Sequence, residues 1–126
     1  MVPQRSPFVL VIEPSLVLRR VILTSLSRNG FSTTMAYAHP LEALKAIVQR
    51  QIPVPDIALV CRNMPWPDGY EVIAYLRKNG YPTKCILLLS HDGSLERIKA
   101  RLAGARASLA KPLTVQALLH AVATVS

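Results

Sequence analysis

Apolar and polar positions along this chain fall into blocks that switch between two periods. Phe8 to Ile12 is an unbroken apolar run, the pattern of a strand buried on both faces. Glu13-Pro14-Ser15 then makes a turn, with Ser15 placed as N-cap of a helix carrying Leu18, Val21, Ile22 and Leu26 on one side. Asn29-Gly30 closes that helix as a left-handed cap, because the pair follows a helical run and not a strand. Phe31 to Tyr37 predicts a second, more polar strand near a sheet edge. Pro40 suits the first turn of a second helix, whose Leu41, Leu44 and Val48 share a face. Ile57 to Val60, entered through the turn Pro55-Asp56, predicts a buried central strand. A proline-broken loop from Cys61 to Gly69 leads to a third helix with Val72, Ile73 and Leu76 on one side. That helix ends Lys78-Asn79-Gly80-Tyr81, which echoes Arg28-Asn29-Gly30-Phe31. Cys85 to Leu89 is the most hydrophobic strand and belongs at the centre. Leu95, Ile98 and Leu102 mark a fourth helix ending near Gly104, Ala105 to Ala110 a short fifth strand, and Val115, Leu118, Leu119 and Val122 the last helix.

Strand and helix alternating in this way specify an open parallel sheet covered on both faces, with right-handed crossovers. With 126 residues at 51% hydrophobic, the chain is one domain, residues 1–126, either standing alone or cut from a longer protein. Its apolar runs fall far short of the ~20 residues of a membrane helix, and the first is stopped at once by Glu13-Pro14, which argues against an export signal. Two cysteines make no disulfide framework, so the expected compartment is the reducing cytosol. If Cys85 opens the strand beside the one Cys61 closes, the two thiols lie about 13 Å apart, too far for a disulfide. The net charge of +8 favours an acidic partner, nucleic acid or an anionic surface, or else reflects a soluble domain with many surface arginines.

Candidate chemistry concentrates in the loop leaving the central strand, where ligands sit in parallel sheets. Met64-Pro65 and Asp68-Gly69 in that loop, Lys111-Pro112 after the fifth strand, Ser90 after the fourth and Glu13 after the first fall in one register. In these features the chain resembles the receiver domains of response regulators, in two-component phosphorelay signalling. The resemblance implies a flavodoxin-like sheet of order 2-1-3-4-5 with helices on both faces. It also implies a magnesium-dependent aspartyl phosphorylation site, and here the sequence departs from the family. Cys61 stands at the phosphoaccepting aspartate, Pro14 at a metal-binding carboxylate, and Ser108 at the aromatic switch position three residues before Lys111. Phosphotransfer to a carboxylate needs an oxygen nucleophile and a metal that neutralises the moving charge. Proline offers no ligand and a thiol suits magnesium poorly, so neither metal nor cofactor is expected. Lys111 without its usual aspartate needs another counter-ion, and Glu13 is the candidate.

The expectation is therefore a pseudo-receiver, a non-enzymatic interaction module independent of phosphorylation. Its partner would be a protein or an attached effector domain, with acidic character favoured by the net charge, or a second copy. Arg97 and Arg101 on the fourth helix and Ala117 and Ala121 on the charge-poor last helix are candidate contacts. Trp66 is either a partner anchor, a cover for the pocket, or packed on its own loop. One alternative is a thiol redox sensor at Cys61, its thiolate favoured by Lys111; the bland reading is a buried thiol behaving as a small hydrophobe. Another is a nucleic-acid binder using the basic face, although the sequence has no recognition helix or aromatic platform.

Overall fold

The computed structural model describes residues 6–126. Five strands alternate with five helices: β1 (Phe8–Ile12), α1 (Leu16–Arg28), β2 (Thr33–Tyr37), α2 (Pro40–Val48), β3 (Ile57–Cys61), α3 (Gly69–Lys78), β4 (Lys84–Leu89), α4 (Ser94–Ala103), β5 (Ala107–Ala110) and α5 (Val115–Val125). The strands form one parallel sheet in the order β2-β1-β3-β4-β5, as expected. Successive strand residues face opposite sides, so two cores form. Leu10, Ile12, Val60, Leu87 and Leu89 meet α2, α3 and Ala100 of α4 on one side. Val9, Val11, Leu59, Ile86 and Leu88 meet Ile22 and Leu26 of α1 and Leu118, Val122 and Val125 of α5 on the other.

The repeated helix-to-strand junctions have one cause. Gly30 (φ +93°) and Gly80 (φ +77°) take the left-handed conformation, and the next amide reaches back, Phe31 to the carbonyl of Leu26 and Tyr81 to that of Leu76. Phe31 therefore closes α1, and β2 begins at Thr33. Ala105 is spent in the same way on Ala100, and β5 begins at Ala107. Both strands are shorter than the apolar pattern suggested because the helix endings consume their first residues.

Three helical faces differ from expectation. Spacing shows which residues share a face but not which face meets the sheet. On α2 the core takes Ala43, Leu44, Ala46 and Ile47 and leaves Leu41 and Val48 about half exposed. On α4 the core takes Ala100, and Leu95, Ile98 and Leu102 point outward, Leu102 79% exposed. On α5, Ala121 is buried against the sheet beside Val122, so it is not on an outer contact face; Ala117 is.

α3 starts against the end of β3. A Cβ on Gly69 would lie 2.6 Å from the Cys61 carbonyl oxygen and 2.9 Å from the Arg62 Cα, so backbone would have to move. Asp68 caps the helix, its carboxylate accepting from the Glu71 amide while the Glu71 carboxylate accepts from the Asp68 amide. Gly69→Ala is expected to lower stability by about 2 kcal/mol, the range of an overpacked core site. An unchanged urea midpoint would show that the junction is slack.

Candidate functional site

The carboxyl ends of β1, β3, β4 and β5 deliver Glu13, Cys61, Ser90 and Lys111 to one end of the sheet. Backbone bonds continue one residue past the ends of β1, β3 and β5: the Glu13 amide donates to the Tyr37 carbonyl, Arg62 to that of Leu88, and Lys111 to that of Leu89. Glu13 is 2% exposed, and its Oε1 lies 2.7 Å from the Lys111 ammonium. Its Oε2 accepts from the Ser15 amide at 2.8 Å. The expected replacement ion pair is thus in place. Lys111 also donates to Cys61 Sγ at 3.4 Å, and the thiol is directed to the Asn63 carbonyl at 3.5 Å.

Asn63 is a site residue that sequence reasoning missed. Its Nδ2 donates to Ser90 Oγ at 2.8 Å, tying the β3 loop to the end of β4. Nothing in its immediate sequence marks it; only its place two residues beyond the strand end could have suggested it. Ser90 Oγ also lies 3.4 Å from His91 Nδ1.

The electrostatics of the trio follow from burial. Burial pushes the Cys61 thiol upward, the Glu13 charge adds to this, and the nearby Lys111 offsets only part of it. For Lys111, burial alone would favour loss of the proton, but the hydrogen bond to Glu13 and the negative charges it faces outweigh burial and raise it. Lys111 is within reach of the thiol, yet the depressed pKa expected of a redox cysteine is not found. Cys85, buried at the other end of β4, is pushed up to about 12 by desolvation. The two cysteines are three rungs apart in the β3–β4 register and on opposite faces by strand alternation, which keeps the thiols too far apart for a disulfide, as expected. Both are free.

Groups with raised values bind protons more tightly in the folded state. Their stabilisation is present below the unfolded values of 9.0 for the thiols and 10.5 for Lys111, and is lost as pH climbs past them. Stability should therefore fall between pH 9 and about 12, and Cys85→Ala should flatten that fall. At neutral pH both thiols should react with Ellman's reagent more than about tenfold slower in the native protein than in urea. Rapid native labelling of Cys61 would restore the redox alternative.

The residues present do not fit a magnesium ion. Glu13 is the carboxylate in the group, and its oxygens already face Lys111 and the Ser15 amide. Pro14 is exposed and offers no side-chain donor, and Cys61 offers sulfur. Among the described residues no three of His, Cys, Asp and Glu cluster in a way that could hold a metal.

The remaining candidates lie elsewhere. Ser108, half-buried on β5, lines a cleft of about 370 Å³ with Arg97, Ile98 and Arg101 of α4. Arg97 is paired with Asp92 at 2.8 Å, and Arg101 is exposed without an ion pair among the described residues. Trp66 is 72% exposed and lines two depressions, one with Leu41, Val48 and Tyr75, the other with Pro14, Met64 and Pro65. Arg62, which stacks at 4.4 Å on Tyr70 and reaches Asp68 at 3.5 Å, holds the far side of the loop.

Comparison with known proteins places this geometry. Residues 9–123 match the response regulator receiver domain family. Response regulator MprA of Mycobacterium avium is 33% identical over 111 residues, covering 88% of this chain and 47% of the relative. The chain therefore spans about half the length of the curated relatives it matches. A receiver protein from Burkholderia phymatum superposes with a TM-score of 0.83 at 29% identity, covering 94% of each chain. The Francisella response regulator 1452 receiver domain superposes with a TM-score of 0.84 at 26% identity, over 94% of this chain and 95% of that one. No described helix is long and apolar enough to cross a membrane.

Proposed function

Given that this chain belongs to the response regulator receiver domain family, we propose that it is a pseudo-receiver: a non-enzymatic interaction module that works without phosphorylation. The observation that carries this reading is the Glu13–Lys111–Cys61 trio. Where a receiver presents an aspartate beside bound metal, this chain presents a protonated thiol. Its remaining carboxylate is held by the lysine at 2.7 Å. An ion pair then does permanently what a phosphoryl group and metal would do transiently, neutralising Lys111 and fixing the β5–α5 turn. The direct test is amide NMR with magnesium and beryllofluoride, which should leave the resonances around Cys61 unmoved; their movement would end the proposal.

The interaction surface proposed is the α4 side of the molecule. Leu95, Ile98 and Leu102 stand on one stripe of that helix, more than half exposed, with Arg97 and Arg101 on the flank beside it and Ala117 on exposed ground of α5. The partner is a second copy or an effector domain, and the arginines favour one with acidic residues. A cytosolic setting fits the two free thiols. Because Ala121 is buried, a charge there would test folding and not binding. Leu102→Glu should weaken self-association or effector binding by roughly tenfold while leaving the melting temperature unchanged, as truncation of an exposed interface anchor does. If sedimentation and effector titration are the same for wild type and Leu102→Glu, this face is not the contact.

A further inference from the structure

An apolar depression lies away from both the trio and α4. Between α2 and α3 runs a groove of about 590 Å³, walled by Leu41, Leu44 and Val48 on one side and Ala74 and Tyr75 on the other, with Trp66 at its head. Leu41 and Val48 belong to a second apolar stripe of α2, distinct from the stripe that the core uses, and nothing in the fold accounts for it. Trp66 is 72% exposed at the end of that stripe.

We propose that this groove docks an amphipathic helix bearing carboxylates, supplied by an acidic protein partner. A helix is the fitting occupant because the walls are two helix flanks with no open strand edge between them. Apolar residues at i, i+3 or i+4, and i+7 of a partner helix would therefore meet Trp66, Tyr75 and Val48 in one line. The charge of the partner follows from the rim. Lys45 and Lys78 border the groove, exposed and without an ion pair among the described residues. Glu71, the acid on the rim, is committed to the Asp68 amide at the α3 N-terminus, where the helix end offsets its charge. The groove thus offers an apolar floor between cationic edges, on a chain of net charge +8. This inference does not depend on the chemistry at Cys61 and stands or falls separately from the pseudo-receiver reading.

Trp66 is the single tryptophan of the chain and reports the groove directly. The intact domain is titrated with an about 15-residue helical peptide carrying leucines at helical spacing and glutamates elsewhere, and with the same peptide carrying lysines instead. The glutamate peptide should shift Trp66 emission to the blue, saturably, and bind roughly tenfold tighter than the lysine peptide. Val48→Glu should abolish the shift without altering thermal unfolding, since Val48 is half exposed. Lys45→Glu with Lys78→Glu should reverse the peptide preference. No shift at millimolar glutamate peptide, or equal binding of both peptides, overturns the proposal. So does a concentration-dependent blue shift with no peptide, accompanied by dimer sedimentation, because the occupant would then be a second copy.

Discussion

Lys111→Met should destabilise the domain by about 3 kcal/mol, more than twice the loss from Glu13→Gln. The asymmetry is physical. Removing one member of a buried pair costs about 3–5 kcal/mol when the charge left behind is cut off from water. Glu13 is 2% exposed, so losing the lysine strands a carboxylate whose remaining partner is the Ser15 amide. The Lys111 side chain is 28% exposed, so losing the carboxylate leaves an ammonium that can turn to solvent, and a glutamine can still hydrogen-bond. That direction should cost only about 1 kcal/mol. The double variant Glu13→Gln with Lys111→Met removes both charges and should sit within about 1 kcal/mol of wild type, because a neutral buried pair repays little less than an ionic one. Urea unfolding of the four proteins closes the cycle. Equal losses from the two single variants would mean that Glu13 is more hydrated than its burial indicates.

The trio shows how far the chain could be read without coordinates. The parallel sheet followed from strand-like runs alternating with helical spacing, clearest for the three strands buried on both faces, and its order followed from the resemblance to receiver domains. The Glu13–Lys111 pair also followed, since a cation with a missing partner must find another carboxylate at the same sheet end. What stayed hidden was decided by packing and not by period. Leu41, Val48, Leu95, Ile98 and Leu102 have the spacing of a core face, and the sheet instead took Ala43, Ile47 and Ala100, smaller or differently phased residues. Ala121 looked like a surface alanine because a last helix poor in charge has no polar face to orient it. Asn63 was invisible because its role, holding Ser90, depends on a loop path with no sequence period. The thiol of Cys61 was placed correctly beside Lys111, but the sign of its shift required knowing how completely it is buried.

The largest change of behaviour should come from giving back two carboxylates. Cys61→Asp alone supplies an acceptor oxygen at the position where the thiol now lies 3.4 Å from Lys111, but leaves Pro14 where a second hard ligand is needed. Pro14→Asp alone adds a ligand and no acceptor. Neither single variant should respond to magnesium and beryllofluoride. The double variant should, because Lys111 and Ser90 already stand at the same sheet end to meet phosphoryl-like oxygens. Two local ties must give way first: Lys111 must divide itself between Glu13 and the new acceptor, and Ser90 must leave Asn63. Both are hydrogen-bond exchanges, worth roughly 1–2 kcal/mol each. The response should also stop short. Ser108 lines an open cleft beside α4 in place of a ring that would couple the two, so amide shifts should appear at the ends of β1, β3 and β4 and fade before Ile98 and Arg101. The measurement is amide NMR on wild type and the three variants, each with and without beryllofluoride and magnesium. Shifts in wild type at Cys61 and its neighbours would overturn the pseudo-receiver reading. A silent double variant would place the loss of function deeper than two side chains, in the ion pair that now fills the site.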